Sequence, residues 1–260
     1  MAELIKLKNS SYARYEELLL RRDQLQKEAF QYERAYVREF GDRILDIFRK
    51  KMECIRKKKT IEYCQVAANH GRSIDQAKLQ EYLRQEMEAF QRHLDDMVED
   101  AENAKNCKLV SEIDLLTIKR IYRKLVKRIH PDTNPLTNET PELFELWQRI
   151  QVAYQCNDKK GMQELELLVT TVLERLGVGD QEIEIPDIEE KIGEIQTEIA
   201  EILETDPYTY KYLLEDPKAI EEKKTTLREE LRSYEEYSKQ LDEVLNVLMA
   251  SGVSVTWRMN

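Results

Sequence analysis

The chain has 260 residues, of which 35% are charged and only 7 are glycine, a balance that favours long helices over sheets or glycine-cradled cofactor sites. Its net charge of −10 is unevenly spread: 21 acids stand against 8 basic residues between Asp180 and Leu248, whereas the first 179 residues hold 30 acids and 32 basic residues. No apolar run approaches the ~18 residues of a membrane span and no signal-type segment follows Met1, so a cytoplasmic protein with no membrane partner is expected.

The four cysteines, Cys54, Cys64, Cys107 and Cys156, never form a C-x-x-C pair, so free thiols are expected rather than a zinc site or a disulfide framework. No P-loop, dinucleotide fingerprint, nucleophile elbow or clustered His/Cys/carboxylate set occurs. Neither catalysis nor a cofactor is expected.

In chain order, residues 12–39 read as a long helix with Tyr15, Leu18, Leu25, Ala29, Tyr32 and Tyr36 on a near-heptad seam. Gly41 and Asp42 mark a break, after which a second helix runs to about Asn69 and His70-Gly71 stops it. Ser73 opens a third helix bearing Leu79, Leu83, Met87, Phe90, Leu94 and Met97. Together they suggest an antiparallel bundle or coiled coil over 1–105. The basic run Arg49-Lys50-Lys51 with Arg56-Lys57-Lys58-Lys59 lacks interleaved aromatics and reads as a solvated helix face rather than a nucleic-acid patch. Cys64 and His70 have no further ligands at zinc spacing, and His93 reads as simply exposed.

The stretch from Ile118 to Tyr154 organises the rest. At about 100° per residue, Ile118, Ile121, Tyr122, Leu125 and Ile129 fall on one side of a helix. Lys119, Arg120, Arg123, Lys124, Lys127 and Arg128 fill the other, with no acid between Thr117 and His130. Ser111 with Asp114 three residues on makes a capping-box start, and Pro131 disfavours the α conformation for His130, so the helix should stop there. Thr140-Pro141 opens the next helix, on which Leu143, Trp147, Ile150 and Tyr154 share a face while Phe144 and Val152 lie off it.

These residues resemble a J domain, the module by which DnaJ-type co-chaperones engage seventy-kilodalton heat-shock chaperones. The likeness rests on Ile118, Tyr122-Arg123-Lys124-Leu125, His130-Pro131-Asp132, Asn134-Pro135 and the aromatic-x-x-Ile-x-x-Ala-Tyr spacing of Trp147, Ile150, Ala153 and Tyr154. A bare His-Pro-Asp should arise by chance in roughly one or two per cent of chains this long, so the flanking helices carry the likeness. The family's first-helix Asp-Tyr-Tyr-x-x-Leu-Gly run, its basic fourth helix, its Gly/Phe linker and its cysteine-rich module are absent. The end of the helix preceding Ser111 is expected to pack against Tyr122 and Leu125 in place of the missing first helix. A further helix from Asn157 or Asp158 to Gly177, with Met162, Leu165, Leu168, Val169, Val172 and Leu176 inward, replaces the basic fourth one. The layout is also similar to a bacterial group in which a degenerate-looking J domain lies between coiled-coil segments.

In the last third, Ile188, Ile192, Ile195, Ile199 and Ile202 form one stripe. Ile220, Leu227, Tyr234, Leu241 and Leu248 recur every seven, with Leu231 and Leu245 beside them. Asp206-Pro207 and Asp216-Pro217 bracket a short helix around Tyr208–Leu214, so an antiparallel coiled-coil hairpin is expected. The segments Ile183-Glu184-Ile185 and Val253–Trp257 alternate with period two and could pair as a small β-ribbon.

The fold expected is therefore all-α: a helical bundle or coiled coil (1–105), a J-like unit (106–178) and a coiled-coil hairpin (179–260). The resemblance implies a co-chaperone that docks on a DnaK-type chaperone and stimulates its ATP hydrolysis. Lys119, Arg123, Lys124 and Arg128 would form the electrostatic face, His130, Pro131 and Asp132 an exposed triggering loop, and Asn134 part of the same surface. The arms would hold an unfolded client, and their heptads also allow a homo-oligomer. The alternative is a scaffolding protein whose J-like unit has lost its chaperone contact. Nucleic acid fits poorly with the net charge.

Overall fold

The computed structural model describes residues 2–70, 73–105, 110–177, 187–250 and 255–256, with backbone only at 2–10, 103, 105, 255 and 256. Among these the fold is all-α. The helices are α1 (Ala2–Asn69), α2 (Gln76–Lys105), α3 (Glu112–Ile129), α4 (Pro135–Glu139), α5 (Pro141–Gln155), α6 (Lys159–Arg175), α7 (Ile188–Glu204), α8 (Tyr210–Glu215) and α9 (Pro217–Ala250). Two two-residue strands, β1 (Ile74–Asp75) and β2 (Val255–Thr256), pair in parallel. Val255 thus pairs with Ile74; the 183–185 segment, expected to pair with Val253–Trp257, lies outside the described residues.

Contacts group into two compact units that the contiguous three-part reading does not match: Met1–Arg34 with Cys107–Tyr212, and Ala35–Asn106 with Leu213–Asn260. The helix α1 contributes to both.

In the second unit α1 runs through Gly41 without the expected break. Glycine costs a helix interior about 1 kcal/mol relative to alanine. Its use here is steric: a Cβ would stand 3.2 Å from Val37 Cγ1 and 3.8 Å from Ala101 of α2. Gly41 is thus a packing glycine under α2. The two helices run antiparallel, with Phe48 edge-on to His93 at 5.1 Å and Tyr63 against Tyr82 at 5.3 Å. His93 is accordingly solvent-exposed but in ring contact. Helix α2 starts at Gln76, not Ser73, because the Asp75 carboxylate accepts the Ala77 and Lys78 amides. Several charges of the Arg49–Lys59 run are compensated: Lys50 by Glu53, Lys57 by Glu53 and Asp242, Lys59 by Glu86.

Helix α9 lays its heptad seam on α1 in the same direction. Lys224 pairs with Glu39, the Cys54 thiol donates to the Tyr234 carbonyl, and Lys57 donates to Ser238. The core contains Phe40, Ile47, Cys54 and Ile61 of α1 with Leu227 and Leu241 of α9.

In the first unit α7 also runs parallel to α1. Ser11 donates to Glu189, Arg22 to Glu198, and Ile192 and Ile195 pack on Tyr15 and Leu19. Leu25 and Ala29 continue this packing with Tyr208, while Ile199 and Ile202 flank them. The α7 and α9 stripes therefore each take α1 as partner, which corrects the expected antiparallel hairpin between them. An apolar stripe specifies burial but neither partner nor direction.

The remaining core of that unit is α3, α5 and α6, built on Ile118, Tyr122, Leu125, Trp147, Ile150 and Tyr154 together with Met162, Leu165 and Val169. Leu168 and Leu176, expected inward, are each 41% exposed, and Leu173 is buried instead. Tyr122 stacks on Tyr154 with centroids 3.8 Å apart and a 9° interplanar angle.

Candidate docking site around His130 and Asp132

Helix α3 is positioned by its ends. Ser111 Oγ accepts the Asp114 amide at 3.2 Å, and Glu112 and Asp114 lie at the positive helix end. His130 turns extended (ψ 129°) ahead of Pro131 while its own amide still reaches Val126, which ends the helix and starts the loop.

The loop is less open than the sequence suggested. His130 is only 2% exposed, which corrects the expectation of an exposed triggering histidine. Its ring sits edge-on to Trp147 at 4.6 Å, and Nδ1 lies 3.1 Å from the Asp132 amide. Burial holds the imidazole below its usual pKa, with Arg22 adding to the effect and Asp23 and Asp132 opposing it, so the ring is neutral at pH 7. Pro131 is half-buried, and the Asp132 side chain is 43% exposed. Asn134, expected on the docking surface, is buried and structural: its amide donates to the Arg128 carbonyl at 2.7 Å while its oxygen accepts the Leu136 amide at 3.1 Å.

The six cations of α3 divide. Lys124 pairs with Glu166 at 2.7 Å, Lys127 with Glu16 at 3.0 Å, and Arg128 donates to Thr170 at 2.9 Å. The acids missing between Thr117 and His130 are thus partly supplied by α1 and α6. Lys119, Arg120 and Arg123 have no ion pair among the described residues, and Arg120, Arg123, Lys124 and Lys127 are exposed.

The decisive neighbours come from α1. Tyr122 Oη donates to Asp23 at 2.7 Å, Tyr154 Oη donates to Gln24 at 2.7 Å, and Leu20 packs on the three-helix core. Burial and the Asp23 carboxylate raise the Tyr122 pKa far above its ordinary value. Lys27 lies over the Tyr154 ring, 3.9 Å from its centroid; burial and nearby Lys119 lower its pKa to about 8. The stretch Leu20–Lys27 thus covers Tyr122, the place expected for the helix just before Ser111. Arg22 reaches the loop itself, 3.3 Å from His130 Nε2 and 3.6 Å from Asp132 Oδ2. None of these residues was singled out from sequence, although one sign was present. The α1 seam steps from Leu18 to Leu25, and the position it skips is Arg22.

Among the described residues no group of three or more His, Cys, Asp or Glu could hold a metal, and no helix is long and apolar enough to cross a membrane. Comparisons with family models, curated proteins and solved structures find no match. Fold and site define an all-α protein with a capped basic helix, a short loop after it, and α5 and α1 bracing that loop. Such an arrangement can present charge to another protein.

Proposed function

We propose that this chain is a J-domain-type co-chaperone that docks on a DnaK-type heat-shock chaperone through α3 and the loop after it, stimulating the chaperone's ATP hydrolysis. The observation that carries the reading is the placement of an exposed carboxylate, Asp132, at the end of a helix whose outward face shows Arg120, Arg123, Lys124 and Lys127. A complementary acidic surface would be steered to the helix and oriented on it, with an attraction that weakens with salt. The match in Tyr122–Leu125, His130–Asp132 and Trp147–Tyr154 supports the same reading. Helices α7 and α9 are then available for client binding or placement in the cell.

A second reading is favoured by the burial of His130 and the Arg22–Asp132 contact. Here the tripeptide serves an internal interface with α1, and the protein is a scaffold. An ATPase assay with the DnaK-type chaperone of the same organism separates the two. The co-chaperone reading expects stimulation at low salt that Asp132→Asn abolishes with the fold intact. Changing Lys119, Arg123 and Lys124 together to Ala should slow association and flatten its salt dependence. Unchanged ATP turnover with the wild-type chain leaves the scaffold.

A further inference from the structure

We infer that Arg22 is a resident latch on the His130–Asp132 loop: a partner reaches the Asp132 carboxylate only when Arg22 has been drawn off it onto Asp23 and Glu198. The inference rests on the docking reading above and adds to it a control built from α1 and α7.

The Arg22 guanidinium is shared among three carboxylates. Nη2 lies 3.1 Å from Asp23 Oδ1, while Nη1 lies 3.3 Å from Glu198 Oε2 and 3.6 Å from Asp132 Oδ2. The Asp132 contact is the longest. Giving it up leaves two nearer anions, so the guanidinium, whose side chain is 13% exposed, is never stranded without compensation. Burial works against its charge, and the acids outweigh that penalty and hold its pKa above the usual value.

The imidazole is just as undecided. A neutral ring offers one acceptor nitrogen, yet two donors approach it: the Asp132 amide at Nδ1, 3.1 Å away, and Arg22 at Nε2, 3.3 Å away. Only one can be satisfied. Withdrawal of Arg22 therefore frees the ring to serve the Asp132 amide alone. Both contacts that Arg22 makes to the loop are ones it can lose, whereas those to Asp23 and Glu198 keep its charge compensated. Its position agrees with this. Arg22 stands where the α1 stripe calls for an apolar residue, and a polar group in such a seam costs stability while fixing register or partner choice.

The experiment uses the full chain with the organism's DnaK-type chaperone and ATP, comparing wild type, Arg22→Gln and Glu198→Gln for chaperone affinity and ATPase stimulation, with melting temperatures alongside. Arg22→Gln should tighten apparent affinity about two- to fivefold, the scale of a partly exposed ion pair. Glu198→Gln should weaken it, because the seat that holds Arg22 away from Asp132 has lost its charge. Opposite signs from neighbouring variants are not what general loosening of the fold produces. If Arg22→Gln melts like wild type and binds no tighter, the latch is overturned. Should Arg22→Gln melt lower, Glu198→Gln decides, since that side chain is 50% exposed; equal or tighter binding then overturns the latch. Stimulation by wild type with both variants matching it removes the latch alone. Silence from all three removes the docking reading and the latch with it.

Discussion

The hydroxyl of Tyr122 on α3 donates a 2.7 Å hydrogen bond to the carboxylate of Asp23 on α1, across a sequence separation of 99. Asp23 is 5% exposed and also accepts from Arg22, so a single buried carboxylate joins the three-helix core to α1. A hydrogen bond to a charged group contributes about 1.5–3 kcal/mol, and a buried acceptor left unpaired costs at least as much. Tyr122→Phe should therefore destabilise by about 1.5–3 kcal/mol in urea unfolding. Asp23→Asn should share that loss, giving a coupling energy above about 0.5 kcal/mol in a double-mutant cycle. Additive losses would mean the bond is absent in solution.

Helix α7 takes α1 as its partner, with Ile195 3% exposed against Tyr15 and Leu19. Ile195→Asp forces an unpaired carboxylate into this seam and should cost about 3 kcal/mol or more, read as a fall in melting temperature. The parallel direction has its own check. Ser11 and Glu189 are hydrogen-bonded at 2.6 Å, so cysteines at these two positions should cross-link within one chain independently of protein concentration. Cross-links found only in dimers would refute the arrangement.

The continuity of α1 through Gly41 is testable by size. A methyl group meets Val37 at 3.2 Å, close enough that Val37 must give slightly, while the helix gains about 1 kcal/mol in propensity. Gly41→Ala should thus change stability by less than about 1 kcal/mol. Gly41→Leu should overpack the approach of Ala101 and cost about 1–3 kcal/mol. Equal tolerance of both would place Gly41 in a break.

Protonation of His130 should work against the fold. Burial lowers its pKa in the folded chain, and the unfolded value is about 6.5, so below that pH the unfolded state binds more protons. The contribution is fully present above about pH 6.5 and is lost as pH falls below it. Between pH 7.5 and 5.5 the melting temperature of the wild type should drop further than that of His130→Gln. Parallel curves would show that the ring is not held neutral.

Much of the site was legible because its determinants are local. Ser111 and Asp114 start α3, Pro131 ends it at His130, and Thr140-Pro141 starts α5; each acts within a few residues through backbone sterics and orphan amides. The apolar faces of α3 and α5 followed from periodicity, and Tyr122, Leu125, Trp147, Ile150 and Tyr154 are buried together. Asn134 was misread because the resemblance alone placed it on a surface, whereas here its side chain closes the loop onto Arg128.

What the sequence by itself determined is where helices begin and end around the loop and which of their faces are apolar, since caps, proline and period act over a few residues. Only the tertiary structure decided which seam meets which. Hydrophobic burial has no direction, so the stripes of α7 and α9 were equally compatible with each other and with α1. It also decided that Arg22, Asp23 and Lys27 would converge on His130, Tyr122 and Tyr154. A charge carries no mark of the distant residue it will face. That pairing exists only once α1 has been laid along α3.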